Sequence, residues 1–279
     1  MDKVFYFNDI QVIIKKIKGL NTGYITNFYL EVDRINALIN KNQFYKKIIG
    51  NTAFFFKDDY EFIHLFYCSS SIDELDKSLT RLRTEMDKYH LVVDIIGKQP
   101  NIQSIAYLFK MNGFFEYTVL NRMSRISIQD MAVKSQLNLK IDADSTNCKQ
   151  IFDLLHQYFD PIAEQLPDLD EIKNWAKSNH LLFVEENGEI SGFVIFDLIG
   201  VTSYLRYWFV HPKHRNKKIG SILLNEYFKR SEETKRQIFW VIQSNDNAIK
   251  RYLHYGFQSE NLYDIIVTNN NIKYETTNN

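Results

Sequence analysis

The segment from Thr202 to Arg230 constrains the fold of this chain more than any other part of the sequence. Its first part, LRYWFV at 205–210, is an apolar and aromatic run typical of a buried β-strand. Pro212 ends that strand, because proline has no N–H for the strand ladder. An amphipathic run follows and predicts a helix at 219–230. A buried strand that passes directly into a helix is typical of an α/β fold.

The loop between this strand and this helix has the composition of an anion site. Its sequence, HPKHRNKKIG at 211–220, carries six basic or potentially basic side chains. Backbone N–H groups at a helix N-terminus have no partner within the helix, and the helix dipole favours negative charge there. Gly220 would let a ligand approach the backbone closely. The loop therefore predicts a phosphate site.

A second pattern follows the next predicted strand, at 237–243. It reads NDNAIKRYLHYGF, from Asn245 to Phe257. Ala248 and Tyr252 are four residues apart and share one face of a helix. A small residue one turn before a tyrosine leaves room for a ligand to pass the hydroxyl. Gly256 ends the helix, as glycine often does.

In order and spacing, the two patterns resemble the GCN5-related N-acetyltransferase (GNAT) superfamily. The first, Val210-x-Pro212-x-x-Arg215-x-x-x-Ile219-Gly220, is similar to the family's acyl-CoA pyrophosphate loop. The second is Asn245-x-x-Ala248-x-x-x-Tyr252-x-x-x-Gly256-Phe257. Lys218 stands where the family usually has its first glycine, which raises the question of whether the backbone there is glycine-like. The resemblance covers roughly residues 140 to 268.

The resemblance implies acetyl-CoA as co-substrate, with no metal. Strand 204–210 would part from strand 237–243, and the acyl-pantetheine arm would lie in the gap, bonded to backbone at Phe209, Val210 and His211. Arg215 would add charge beside the diphosphate. Backbone N–H groups of the loop would hold it, at Asn216, Lys217, Lys218, Ile219, Gly220 and Ser221. Asn245 would bond the arm or fix the loop before the helix, Ala248 would leave it room, and Tyr252 would protonate the leaving thiolate as general acid.

The general base is left open by the sequence. Strand 202–210 carries no carboxylate, so Asp160, Glu164 and Asp197 are candidates only, and a water chain is an alternative. His211 and His214 are interpreted as loop surface residues rather than bases. The acidic segment 160–180 corresponds to the family's acceptor-pocket region. Its carboxylates would suit a cationic amine, although an acidic surface helix accounts for them equally.

The first half of the sequence repeats the order of elements of the second. Between Asn51 and Ile128 we predict a hairpin, a helix, a strand and a helix that ends in Gly-Phe. Aligning the two Gly-Phe pairs sets Phe109 opposite Tyr252. Only SSS stands in place of the basic loop, at 69–71. We therefore predict a degenerate GNAT-like domain at 1–130 without a cofactor loop, a linker at 129–136, and a catalytic GNAT domain at 131–279. Each domain should be α/β (α+β), a mixed, mostly antiparallel twisted sheet flanked by helices.

Charge and cysteine content narrow the functional classes. Lys plus Arg equals Asp plus Glu at 34 each, which argues against a nucleic-acid or membrane-surface binder. Two cysteines cannot form a disulfide framework, which fits a reducing cytoplasm. The sequence favours an N-acetyltransferase that acts on the primary amine of a small molecule. Alternatives are a non-catalytic acyl-CoA-binding or partner-binding module, which Tyr252 disfavours, and a transferase using a larger acyl or aminoacyl donor. The sequence does not give the oligomeric state.

Overall fold

The computed structural model describes residues 1–59, 61–127, 139–140 and 142–270. The chain forms two compact units. Within the described residues, unit 1 consists of 1–121, 242–244 and 261–270, and unit 2 of the remainder. The predicted linker at 129–136 lies outside the described residues. The division at residue 130 therefore stays a prediction.

The elements alternate as the sequence predicts for a mixed α/β chain. In the first half they are β1 (Asp2–Lys3), α1 (Phe7–Lys18), β2 (Ile25–Thr26), α2 (Val32–Asn40), β3 (Phe44–Ile49), β4 (Thr52–Asp58), β5 (Ile63–Ser69), α3 (Ile72–Met86), β6 (Leu91–Gly97), α4 (Asn101–Met111) and β7 (Phe115–Ile126). In the second half they are β8 (Leu139–Lys140), α5 (Ser145–Tyr158), α6 (Pro161–Glu164), α7 (Leu169–Lys177), β9 (Leu181–Glu186), β10 (Glu189–Ile199), β11 (Thr202–Val210), α8 (Ile219–Arg230), β12 (Arg236–Ile242), α9 (Asp246–His254) and β13 (Gln258–Thr268).

Unit 1 is a sheet with helices on both faces. Its strand order is β1-β3-β4-β5-β6-β13, antiparallel except for the parallel pair β5–β6. Leu79 and Phe109 bring α3 and α4 onto one face. Ile10 and Ile35 bring α1 and α2 onto the other, against Phe55. Alternate residues of each strand therefore enter two different cores.

Unit 2 repeats this arrangement. Its strands are ordered β7-β12-β11-β10-β9-β8, and the β11–β12 pair is parallel. Helices α8 and α9 cover one face, where Leu223 and Phe257 are fully buried. Helices α5 and α7 cover the other, around Ile151 and Phe193. Asn187-Gly188, a pair typical of two-residue hairpin turns, connects β9 to β10, and both residues have positive φ, as a type I′ turn requires.

The strands β11 and β12 part in the middle of the sheet. They pair only from Thr202 to Tyr204, with Arg236 to Ile238 as partners. The register of β10 against β11 shifts directly after this point, so Arg206 is an extra residue on β11. Such a bulge bends the strand that carries it. The bend leaves a gap between the second halves of β11 and β12, at the strand ends that precede α8 and α9.

The two units are not divided at a single point in the sequence. Unit 1 takes residues 261–270, whose strand pairs with β6 from Tyr263–Gly97 to Thr268–Val92. Unit 2 begins at Arg122, inside β7. Neither sheet is therefore complete without a strand from the other half of the chain. Among the described residues, no helix is long and apolar enough to cross a membrane.

Candidate functional site

The basic loop ends in two residues with left-handed backbone. After a short 3₁₀ turn at Pro212–His214, Asn216 has φ 72° and Lys218 has φ 61°. The question raised by Lys218 is thereby answered, since it takes the conformation that glycine would. Alternation of left-handed with ordinary residues turns successive N–H groups toward one side and forms an anion-binding concavity.

The N-terminus of α8 has neither a side-chain cap nor an acidic first turn. Lys218 is the N-cap residue, and its side chain accepts no hydrogen bond from the helix. The first turn, which begins at Ile219, carries no carboxylate. The backbone N–H groups and the positive end of the helix dipole are thus available to an anion. The phosphate site itself stays a prediction.

Part of the loop's positive charge is neutralised by Glu186, at the end of β9. The Glu186 carboxylate lies 2.7 Å from Lys217 Nζ and 3.1 Å from His214 Nδ1. The hydrogen bond from Lys217, together with the nearby positive charge, lowers the pKa of Glu186. These contacts tie the loop to the sheet, while Arg215 and Lys218 remain exposed.

Gly220 is needed for the approach of α8 to β11. A Cβ atom at this position would lie 3.2 Å from both the Trp208 ring and the Val210 side chain. Trp208 Nε1 also donates to the Gly220 carbonyl over 3.2 Å. Close packing of helix on strand therefore accounts for the glycine, in addition to the predicted access for a ligand.

Tyr252 stands beside the strand gap. Its ring centroid lies 3.9 Å from that of Phe239 on β12 and 5.5 Å from that of Trp208 on β11. The side chain is half-buried. Burial raises the pKa of Tyr252, and the negative charge of Glu164 raises it further. The phenol therefore keeps its proton at neutral pH.

Asn245 and Ala248 form the first turn of α9. The Asn245 side chain accepts a hydrogen bond from the Ala248 N–H over 3.0 Å, so it caps the helix. This contact fixes the loop before the helix, which is one of the two roles expected for Asn245. Ala248 packs, half-buried, against the core beneath α9.

Glu164 is the last residue of the short helix α6, and Asp160 is the N-cap of this helix. Asp160 caps α6 by accepting from the N–H groups of Ile162 and Ala163, at 2.9 and 3.1 Å. The Glu164 carboxylate accepts from the Asp160 N–H over 2.9 Å. The Tyr207 hydroxyl, on β11, donates to the backbone carbonyl of Glu164 over 3.1 Å. The position of α6 on the strand next to the gap is thereby fixed.

The pKa of Glu164 is raised to about 7, chiefly by burial, with a further contribution from the Asp160 charge. The ionised carboxylate of Glu164 also contributes to the raised pKa of Tyr252, after burial. A carboxyl with a pKa near neutrality can gain and lose a proton readily at physiological pH.

The other candidate bases have structural partners. Asp160 is the cap of α6, and Asp197 accepts from Trp175 Nε1 and from Arg206 Nε, both at 2.6 Å. His214 pairs with Glu186. Burial and neighbouring positive charge lower the pKa of His211, which lies 3.4 Å from the Tyr158 hydroxyl. Within the described residues, no group of three or more His, Cys, Asp or Glu side chains could hold a metal ion.

Unit 1 carries the counterpart of α9 without its hydroxyl. The Phe114 N–H donates to the Phe109 carbonyl over 3.1 Å, and the Phe257 N–H donates to the Tyr252 carbonyl over the same distance. The intervening Gly113 has φ 85°, while Gly256 has φ 84°. Phe109 therefore occupies the position of Tyr252, as the alignment predicts. It is fully buried.

The counterpart of α8 in unit 1 is closed to anions. Ser71 caps α3 by accepting from the Glu74 N–H over 3.1 Å, and Asp73 and Glu74 place two carboxylates in the first turn. Carboxylates there satisfy the helix dipole and repel a diphosphate. Of the two corresponding helix ends, only that of α8 suits an acyl-CoA.

The site lies within a region of known family. Residues 148–257 match the model of the acetyltransferase (GNAT) family. Comparison with curated proteins finds no relative of significant similarity.

Three solved structures share the fold. A GCN5-related N-acetyltransferase from Sphaerobacter thermophilus is 13% identical, with 81% of this chain and 79% of that chain covered and a TM-score of 0.59. A GNAT-family acetyltransferase from Colwellia psychrerythraea is 12% identical, with 96% and 98% covered and a TM-score of 0.54. A tandem GNAT protein from the clavulanic acid biosynthesis pathway is 11% identical, with 96% and 97% covered and a TM-score of 0.60. The resemblance seen in the motifs is confirmed: this chain has the GNAT fold, and residues 148–257 are its matched acetyltransferase (GNAT) domain.

Proposed function

We propose that this protein is an N-acetyltransferase that transfers the acetyl group of acetyl-CoA to the primary amine of a small molecule. The observation that carries the proposal is the uncapped N-terminus of α8, with left-handed Asn216 and Lys218, beside a strand gap that Tyr252 borders. In this proposal the helix end would bind the diphosphate, the gap would take the extended arm, and Tyr252 beside the gap would donate a proton.

Binding of acetyl-CoA would use backbone rather than side chains. The pantetheine arm would follow β11 at Phe209, Val210 and His211, where β11 has no paired residue on β12. The N–H groups from Asn216 to Ser221 would hold the diphosphate, because they open the loop and the helix. Exposed basic side chains of the loop would add long-range attraction.

The proposed chemistry uses two proton carriers. Glu164 takes a proton from the bound ammonium, because a pKa near 7 leaves much of this carboxyl ionised at neutral pH. The amine nitrogen then attacks the thioester carbonyl, the N–C bond forms and the C–S bond breaks. The departing thiolate takes the proton of the Tyr252 hydroxyl, and the second proton that the nitrogen loses as the amide forms passes to the resulting Tyr252 phenolate. The region around α6, with the carboxyls of Asp160 and Glu164, supports a cationic acceptor.

The two buried free thiols, Cys68 and Cys148, support the reducing cytoplasm as the compartment. The even balance of charge supports an acceptor other than nucleic acid or a membrane surface.

A CoA-release assay with acetyl-CoA and a panel of amines, amino sugars and amino acids tests the proposal. We expect release that depends on one class of amine. Tight binding of acetyl-CoA without release for any acceptor would favour the non-catalytic binding module. Absence of acetyl-CoA binding would contradict the proposal outright.

A further inference from the structure

Unit 1 contains a strand gap that corresponds to the one beside Tyr252. Strands β5 and β6 are parallel and pair only at Ile63–Leu91 and His64–Val92, after which they part. This is the place, in the order of elements, where β11 and β12 part in unit 2. The gap of unit 1 is not open, because a segment of the chain itself lies in it.

The segment enters the gap as a short strand. Residues Ile25 and Thr26 pair antiparallel with Ser69 and Cys68 of β5. The N–H of the next residue, Asn27, donates to the Tyr67 carbonyl over 3.2 Å. The edge that β5 would present to a bound ligand is thus already occupied.

The Asn27 side chain spans the gap. Its Oδ1 accepts from the Tyr67 N–H over 2.6 Å. Its Nδ2 donates to the Leu65 carbonyl on β5 over 3.3 Å and to the Asp94 carbonyl on β6 over 2.9 Å. Both N–H protons of the carboxamide are therefore used, one for each separated strand. Asn27 is 8% exposed, so the amide replaces strand-to-strand hydrogen bonds in a largely buried site, where an unpaired polar group would be costly.

A buried charged group holds the end of the segment. The Tyr29 hydroxyl donates to the Asp94 carboxylate. Asp94 also lies 3.2 Å from His64 Nε2, and His64 Nδ1 lies 3.4 Å from Asp59. Burial alone would lower the pKa of His64, but the carboxylates of Asp94 and Asp59 raise it to about 9. At neutral pH, Tyr29 therefore donates to an ionised carboxylate, and such hydrogen bonds are stronger than neutral ones.

Phe28 anchors the middle of the segment. Its ring lies 4.8 Å from that of Phe55 and 5.9 Å from that of Phe66, in the core under α1 and α2. Amide, aromatic ring and phenol thus fix three consecutive residues in three different ways.

We infer that residues 25–29 are a built-in plug, in which the Asn27 carboxamide fills the strand gap of unit 1 as the amide of an extended ligand would, so that this unit does not take an acyl-CoA. The comparison with unit 2 rests on the function proposed above. The plug itself rests only on the contacts within unit 1. Unit 1 therefore has two independent reasons not to bind an acyl-CoA: it has no basic loop, and the plug fills its strand gap.

Hydrogen exchange at the Tyr67 amide, followed by NMR in the full-length chain, tests the plug directly. In the wild type we expect this amide to be protected like core strand amides. Asn27→Ala removes its acceptor, and we expect exchange at least about tenfold faster, since a hydrogen bond in a closed site limits local opening.

Asn269→Ala is the matched control. Asn269 Oδ1 also accepts from a strand amide, that of Leu91 over 2.7 Å, but outside the gap. Loss of the Asn269 side chain should speed hydrogen exchange at the Leu91 amide and leave the exchange rate of the Tyr67 amide unchanged. Unprotected Tyr67 in the wild type would overturn the plug even if Asn27→Ala fails to fold. So would an Asn27→Ala protein in which Tyr67 remains protected.

Calorimetric titration with acetyl-CoA separates this inference from the proposed function. One equivalent bound by the wild type supports both. Two equivalents in the wild type would overturn the plug but not the function. No binding would contradict the function alone, and the plug would then be decided by the exchange data.

Discussion

At the scale of single residues, the candidate site contains two groups, Tyr252 and Glu164, whose pKa values are both raised by burial. Tyr252 is a phenol that burial and the Glu164 charge keep protonated. Glu164 is a carboxyl that burial brings to a pKa of about 7. A pair of groups tuned in this way suits a reaction that removes one proton and supplies another.

Replacing Tyr252 by Phe should lower kcat by about a hundredfold or more, the range typical of a lost general acid. Affinity for acetyl-CoA should stay within a few-fold, because the ring still packs against Phe239 and Trp208. Steady-state kinetics and calorimetry measure the two effects. Tyr204→Phe, on β11, is a control that should keep normal turnover. Full activity of Tyr252→Phe at neutral pH would show that another group supplies the proton.

Replacing Glu164 by Gln should separate activity from stability. In the wild type, kcat/KM should rise with pH through about 7, as Glu164 ionises. Gln cannot take a proton, so the variant should lose this limb of the pH profile and about a hundredfold or more in rate. An unchanged profile would exclude Glu164 as the base.

The same substitution should stabilise the fold above neutral pH. The folded pKa of Glu164 is raised above its unfolded value, so the unfolded state ionises first as pH rises. Wild-type stability therefore falls between the unfolded pKa, near 4.3, and about 7. Gln keeps the acceptor for the Asp160 N–H without this loss. Denaturant unfolding at pH 4 and pH 8 should show the variant gaining relative stability only at the higher pH.

At the scale of elements, the N-terminus of α8 has no side-chain cap and no carboxylate in its first turn, whereas that of α3 is capped by Ser71 and carries two carboxylates. The proposed anion site depends on this difference. The first turn of α3 carries two negative charges, whereas the loop before α8 carries positive charges, so the two helix ends should have electrostatic potentials of opposite sign.

Arg215→Glu should weaken acetyl-CoA binding by about tenfold or more, because it exchanges a positive for a negative charge beside the diphosphate. The loss should shrink as salt is added, since salt screens exposed charges. Lys229→Glu makes the same change of charge at the far end of α8 and serves as the control. Equal affinities of Arg215→Glu and wild type at low salt would remove this loop from the binding site.

At the scale of the whole molecule, each unit includes strand residues from the other half of the chain: unit 1 includes most of β13, and unit 2 includes the end of β7. Unit 2 includes the end of β7, where Met123 is buried. There, Arg125 donates to the Tyr255 carbonyl over 2.8 Å and lies over the Phe228 ring at 3.8 Å. These contacts make residues 122–127 part of the core of unit 2.

A fragment of residues 131–279 should therefore be insoluble or unstable, because β12 loses a neighbouring strand and Phe228 is uncovered. A fragment of residues 115–279, which restores all of β7, should be more soluble and melt at a higher temperature. Solubility on expression and thermal unfolding measure the difference. A stable 131–279 fragment with normal acceptor kinetics would show that the β7 contacts are dispensable.

The sequence by itself determined what depends on local chemistry. The helix Ile219–Arg230, the Asn187-Gly188 turn and the opposition of Phe109 to Tyr252 follow from periodicity, turn residues and spacing, which act over a few neighbours. Helices α1, α2 and the short α6 are not predicted from these local patterns.

Only the tertiary structure decided the features that depend on distant residues. The sequence offers three carboxylates as candidate bases, and the burial that raises the pKa of Glu164 is seen only in the folded structure. Nothing local to Asn27 shows that its amide spans two strands about 40 and 67 positions further along the chain. Local patterns also do not predict that unit 2 includes the end of β7 and unit 1 includes most of β13. Periodicity predicts that a segment forms a strand, whereas its pairing partner depends on residues far away in the sequence.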